Sequence, residues 1–244
     1  MLKYKLLETY TLLTYLSELL PLIISLYFFR KIKINYLKVF FIYCILLGLF
    51  SSASIYVLKF QNSKSIYLFL VTLYVAFEYA ILVFFFSLLF KNKSFTKIIL
   101  FSIIPFWAYC IFNFFVSAHN TFNNYPALVE FSVFIIILVY YFYEKMNIVS
   151  NIPLFRSVSF WLTVGLFIYF TGNLFFLLFL FSTSDKEILN QMFLIYSGVT
   201  ITKNIILASA WFANEKIQTD ADIIQLPQNM KLDDDFSFTN TTNP

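Results

Sequence analysis

Charged side chains are scarce in this chain. They make up 12% of its 244 residues, while 60% of the residues are hydrophobic. A water-soluble domain carries roughly 25% charged and roughly 45–50% apolar residues. With a mean hydropathy of +0.78, too little polar side chain is present to cover a surface facing water. The composition excludes a soluble globular domain and requires lipid as solvent.

Other shortages exclude particular chemistries. There is 1 histidine, His119, which falls between two apolar runs, and no apolar run contains aspartate. An intramembrane enzyme needs a Ser–His pair, paired aspartates or a histidine-rich metal site. None can be assembled, so no enzymatic activity, metal or cofactor is expected. The 2 cysteines, Cys44 and Cys110, lack metal or redox spacing and read as small buried hydrophobes. No small-residue cleavage site follows the first apolar stretch, which contains Glu18 and Pro21 and runs into Phe28-Phe29-Arg30-Lys31. It reads as a retained helix rather than a secretory signal. No internal repeat appears, which weighs against transporters built from inverted repeats.

What is present is a set of long apolar runs rich in aromatics, with Phe 34 and Tyr 17 against Gly 4. A bilayer core of roughly 30 Å is crossed by about 20 apolar residues in a helix. Seven runs meet that length, at about 10–29, 39–58, 65–90, 98–117, 126–143, 158–181 and 188–212. They do not alternate as barrel strands must. The expected fold is all-α: a polytopic membrane protein with a seven-transmembrane-helix bundle over 1–212. The remainder, 213–244, is polar and acidic, with Asp220, Asp222 and Asp233-Asp234-Asp235. It lacks the apolar content for a core and is expected to be a disordered tail.

Lysine and arginine set the orientation. The N-terminus and alternate loops hold Lys3, Lys5, Lys59, Lys64 and Lys186. The opposite ends hold Arg30, Lys31, Lys33, Lys38, Lys91, Lys93, Lys97, Lys145, Arg156, Lys216 and Lys231. Positive residues stay inside, so the N-terminus is expected outside and the C-terminus in the cytoplasm.

Ionisable groups at membrane depth are functional candidates. They are Glu18 in the first span, Glu78 in the third, Glu130 in the fifth and Lys203 in the seventh, joined by Asn113, Asn173 and Asn204. Tyr67, Tyr74 and Glu78 fall at i, i+7 and i+11 and share one helix face. Asn190, Ser197, Asn204 and Trp211 repeat every seven residues, with Thr200 beside them, and Thr11, Thr14, Glu18 and Ser25 share a face of the first span. Such stripes on greasy helices turn inward. Glu78 and Lys203 both fall near the midplane, and an ion pair between them is reasonable if the third and seventh spans touch. Glu18, Glu130, Asn113 and Asn173 fall in the outer half and can line a cavity open to the outside. A packing role remains equally open, since polar contacts also hold membrane helices together. Cys44, Gly48 and Ser52 in the second span, and Gly165 and Gly172 in the sixth, read as seams for close helix approach. Pro21 and Pro105 are expected to kink the first and fourth spans.

A seventh-span lysine with a third-span carboxylate resembles the rhodopsins, but Val199 stands where microbial rhodopsins carry an aspartate. A broader resemblance rests on Glu78-Tyr79, Tyr140-Tyr141-Phe142-Tyr143, Phe160-Trp161 with Tyr169 and Gly172, and Lys203-Asn204-Ile205-Ile206-Leu207. These segments are similar to a family of uncharacterised bacterial seven-helix proteins often encoded beside two-component histidine kinases. The resemblance implies a sensory or accessory component of the bacterial inner membrane acting on a kinase in trans. The expected function is thus non-enzymatic signalling: a ligand or membrane state is sensed in a polar core of Glu78, Lys203, Asn204, Thr200, Tyr74, Glu18, Asn173, Asn113 and Glu130. Expected partners are the lipid bilayer, a cytoplasmic histidine kinase or other membrane-complex subunit, or a second copy of the chain, and no nucleic acid. A small transporter or channel with a carboxylate-lined path is the alternative, and a structural subunit of a membrane complex the third.

Overall fold

The computed structural model describes residues 2–29, 34–57, 64–116, 125–147, 154–182 and 186–213. Residues 30–33, His119 and the tail beyond Ala213 lie outside the described residues, so the expectations placed there have no structural counterpart. Eight α-helices follow one another: α1 (Leu2–Tyr27), α2 (Asn35–Tyr56), α3 (Lys64–Ser87), α4 (Lys93–Phe101), α5 (Ile103–Val116), α6 (Tyr125–Met146), α7 (Val158–Ser182) and α8 (Lys186–Ser209). Short 3-10 turns precede α7 (Leu154–Arg156) and follow α8 (Ala210–Phe212). No strand occurs among the described residues.

The helices α1, α2, α3, α6, α7 and α8 pack in that order into a ring, which α8 closes against α1. The interfaces α7–α8 and α1–α8 are the most extensive, and α4 and α5 lean on α3 from outside the ring. Each wall helix turns apolar residues outward, among them Leu16, Leu49, Phe84, Ile136, Phe175 and Ile205, all exposed. In water such a surface would associate; in hydrocarbon it is solvated. Six helical segments are long and apolar enough to cross a membrane, compatible with a multi-pass membrane protein. In α1, among the described residues, Leu12–Tyr27 is a further apolar stretch, shorter than those six.

The helical segment Lys93–Val116 is interrupted at one residue, Ser102, which itself keeps right-handed helical angles (φ −63°, ψ −17°), as a kink at Pro105 requires. Pro105 has no N–H to give the carbonyl four residues back, and α4 ends at Phe101 with α5 starting at Ile103. Ser102 sits at the kink, its hydroxyl donating to the Ile99 carbonyl at 2.6 Å and paired with the Tyr79 hydroxyl at 2.7 Å. By contrast, α1 runs through Pro21 as one continuous helix. At the start of α4, Asn92 is the N-cap: its side-chain oxygen accepts from the Ser94 and Phe95 amides, satisfying groups a helix start leaves open. The Glu144 carboxylate, at the end of α6, accepts from the Lys91 and Asn92 amides at 3.1 Å each. That turn is thereby fastened to α6.

Glycines are placed where helices come closest. A Cβ on Gly172 would meet Val199 of α8 at 2.7 Å, and one on Gly48 would meet Leu22 of α1 at 2.8 Å. Around Gly198 there is nothing within 4 Å. Gly172→Leu is therefore expected to part α7 from α8 and destabilise the protein by about 1–3 kcal/mol. Thermal unfolding in detergent should show that loss partly reversed by adding Val199→Ala, and should show Gly198→Ala unchanged or slightly stabilised.

Candidate functional site

The ring encloses a cavity of about 330 Å³. From α1 it is lined by Thr14, Tyr15 and Glu18; from α3 by Tyr67, Val71, Tyr74, Val75 and Glu78. On the facing side, α6 contributes Ala127, Glu130 and Phe131, α7 contributes Tyr169, Phe176, Leu177 and Leu180, and α8 contributes Phe193 and Tyr196. A smaller space of about 130 Å³ extends it toward α2, where Leu47, Phe50, Ser51 and Ser54 form the wall. Most of these positions belong to one half of the bundle, the first half of α3, α6 and α8 and the second half of α2 and α7. Thr14, Tyr15 and Glu18 lie midway along α1, and Glu78 and Tyr169 near the middle of their helices. Tyr67, Ala127 and Leu180 lie within a turn of their helix termini, so the cavity reaches that end.

Glu78 lies deepest, about 14 residues or roughly 21 Å along α3 from Lys64. It is 1% exposed and accepts a hydrogen bond from the Tyr43 hydroxyl at 2.9 Å. Tyr74, one turn earlier on α3, lines the cavity beside it. Tyr43 sits on α2, fully buried, and the α2–α3 packing brings it across.

Lys203 departs from expectation. It is buried, but its ammonium lies over the ring of Tyr169, 4.1 Å from the centroid. No ion pair of Lys203 occurs among the described residues; its electrostatic partners at longer range are Glu18 and then Glu78. The reason is lateral order. In the ring α8 packs between α1 and α7, while α3 packs against α2 and α6. Tyr169 on α7 is the group within reach, and a cation over a ring face is an attractive contact when dehydrated. Tyr169 lines the cavity and Lys203 does not.

The remaining candidates divide. Glu18 and Tyr74 line the cavity, and so does Glu130, which is fully buried with neither side-chain oxygen hydrogen-bonded. Asn204 donates to the Ser17 hydroxyl at 2.9 Å, tying α8 to α1, while its own oxygen has no partner. Thr200 and Asn173 are buried with unsatisfied polar atoms, as is Ser197, but none of the three lines the cavity. Asn113, on α5 outside the ring, is part-exposed and also off the cavity wall. Sequence patterning places the Tyr67–Tyr74–Glu78 stripe correctly. It does not single out Tyr15, Tyr43 or Tyr196 as part of the polar core, although Tyr196 stands seven residues before Lys203 on the same face. Among the described residues no group of three potential ligands could hold a metal ion.

The opposite half is closed by aromatic rings. A continuous chain of ring contacts runs from Phe28, just past α1, to Trp211, Phe40, Phe85, Phe86, Phe134 and Phe170. Its centroid separations run from 4.6 Å at Phe134–Phe170 to 6.4 Å at Phe28–Trp211. Tyr79 stacks on Phe106 at 3.9 Å beside it. The cavity therefore has a floor. No protein-family model matches the chain, and no curated protein or solved structure does either.

Two variants test the electrostatic wiring. Lys203→Met removes the cation that faces Glu18 and Glu78 and should destabilise the protein by about 2 kcal/mol. Adding Glu78→Gln should restore part of that loss; strictly additive losses in thermal unfolding would mean the two groups are uncoupled. Tyr43→Phe should cost about 1 kcal/mol, the scale of one hydrogen bond between membrane helices.

Proposed function

We propose that this protein is a seven-helix membrane sensor that binds a small ligand from outside the cell and signals to a cytoplasmic partner. One observation carries the reading: a polar, tyrosine-rich cavity reaches one end of the bundle while stacked aromatics close the other. That is the shape of a receptor site rather than a conduit.

The seventh span in this reading is α1. Its apolar part, Leu12–Tyr27, is about 24 Å long at 1.5 Å per residue, and tilt-free crossing is helped by local thinning of the bilayer. It supplies a full wall of the ring, with Leu12, Leu16 and Ile23 turned outward. Orientation rests on the basic residues. Lys38, Lys91, Lys93, Lys97, Lys145 and Arg156 all belong to the closed half, which the positive-inside rule assigns to the cytoplasm. The cavity then faces out, and the basic rim with the C-terminal tail offers a docking surface for a histidine kinase or another subunit, in a bacterial inner membrane.

A second reading, a small transporter, draws support from Glu18, Glu78 and Glu130 lining one cavity. It requires the aromatic floor to open.

Single cysteines at Thr14, Tyr67 or Phe193, in a background with Cys44 and Cys110 replaced, should react with a membrane-impermeant maleimide applied to intact cells. A cysteine at Lys93 should react only in inside-out vesicles. The reverse pattern would overturn the orientation. Proteoliposomes should show no uptake or current; uptake abolished by Glu78→Gln would replace the sensor with the transporter.

A further inference from the structure

The cavity's chemistry is lopsided in a way that names its ligand. Three carboxyl groups, Glu18, Glu78 and Glu130, line it, and among the described residues no cationic side chain does. Lys203 is off the cavity wall, its ammonium 4.1 Å from the centroid of the Tyr169 ring, and it offsets part of the negative charge. Glu78 has the Tyr43 hydroxyl as donor. Glu130 has none: it is 0% exposed, on the cavity wall, with both oxygens lacking any hydrogen-bond partner. A buried carboxyl without a donor is costly to leave so, and at membrane depth the cost of the charged form rises further.

Around these groups the wall is aromatic. Tyr15, Tyr67, Tyr74, Tyr169 and Tyr196 present rings and hydroxyls. Ring faces attract cations most strongly where water is excluded. The rest of the lining, including Val71, Phe131, Phe176 and Leu177, is apolar and suits a hydrocarbon body. At about 330 Å³ the space falls at the small end of ligand cavities. An anionic ligand would meet three carboxyl groups and, among the described residues, no cationic side chain on the wall. A bare metal ion is disfavoured because the described residues offer no cluster of three ligating side chains.

Resting on the receptor reading above, we propose that the ligand is a small organic cation, an amine or quaternary ammonium carrying one apolar group. Its charged nitrogen docks at Glu130 and its apolar part lies among the tyrosine rings. Entry of the cation places a second positive charge beside carboxyl groups that already feel that of Lys203. The ligand thereby competes with Lys203 for Glu18 and Glu78, and α8 is the element that feels it.

Three probes that share a phenyl ring and differ in charge decide the matter: benzyltrimethylammonium, benzyl alcohol and benzoate, titrated into the full-length protein in detergent. Binding is read by calorimetry and by the ligand-induced rise in Tm. The cation is expected to bind at least about tenfold tighter than the alcohol, a difference of ~1.4 kcal/mol, with benzoate weakest. Glu130→Gln should erase that tenfold preference while the variant keeps its elution volume and a cooperative melt. Glu130→Asp, which keeps the charge, should retain a preference for the cation. If the alcohol or benzoate binds as tightly as the cation, or Glu130→Gln leaves the preference intact, the amine assignment is overturned while a ligand cavity stands. If none of the probes binds and the cavity cysteines are also unreactive from outside, the receptor reading itself falls.

Discussion

Everything in this bundle follows from the cost of leaving a polar group bare in hydrocarbon. With no water at hand, each such group must find a partner inside the protein or line a space that water or a ligand can fill. Most hydroxyls take the cheapest route and bond to their own helix: Thr14 to the Tyr10 carbonyl, Ser25 to Leu22, Thr163 to Ser159, Thr171 to Phe167. These bonds ask nothing of the fold. The charged groups cannot be satisfied so locally. Glu78 recruits Tyr43 from the next helix, and Lys203 recruits the ring of Tyr169. Those two contacts fix which faces of α2, α3, α7 and α8 turn inward.

The same constraint divides the bundle into unlike halves. In the closed half, polar atoms are mostly paired with one another, as in Tyr141 with Ser159 at 3.1 Å and Trp161 with the Phe155 carbonyl at 2.8 Å. Trp211 is an exception, its indole nitrogen buried without a partner. Aromatic rings in mutual contact, stacked, tilted or edge-on, pack this half. In the other half the unsatisfied atoms accumulate on Glu130 and along the α7–α8 seam at Asn173, Ser197 and Thr200. A bundle optimised only for packing would not leave both Glu130 oxygens unpaired on the wall of a cavity. That coincidence argues for an occupant.

The sequence reveals the helices and their inward stripes because both are periodic. Tyr67, Tyr74 and Glu78 share a face by spacing alone, and Pro105 announces the kinked fourth span. Lateral order is not periodic and cannot be read that way. Seven inward stripes say nothing of which helix stands next to which. For that reason Glu78 and Lys203, both near the midplane, look like partners in the sequence but occupy opposite walls of the ring. For the same reason Asn113 looks like a core residue although its helix sits outside the ring. Tyr43 and Tyr169 were hidden by abundance: among 17 tyrosines, no pattern marks the two that face the charges.

How such a cavity could signal is limited by energetics. A ligand shifts an equilibrium only by its difference in affinity for the two states. Opening the floor would part the ring chain from Phe28 to Phe170, and aromatic pairs are worth about 0.5–1.5 kcal/mol each beyond their burial. Parting several of them at once exceeds what a small ligand readily supplies. Moving α8 asks far less. Lys203 has no direct carboxylate contact to break, only the Tyr169 ring and the longer-range pull of Glu18 and Glu78. Its neighbour Asn204 holds α1 through one hydrogen bond to Ser17. A charge arriving in the cavity therefore acts on the α1–α8 pair, whose last turn carries Trp211 and Phe212 against Phe28 at the far end. The helix that senses charge at mid-membrane is thus the one whose terminus touches the closed face, and a shift of α8 along or about its axis reaches that face without opening a path through the protein.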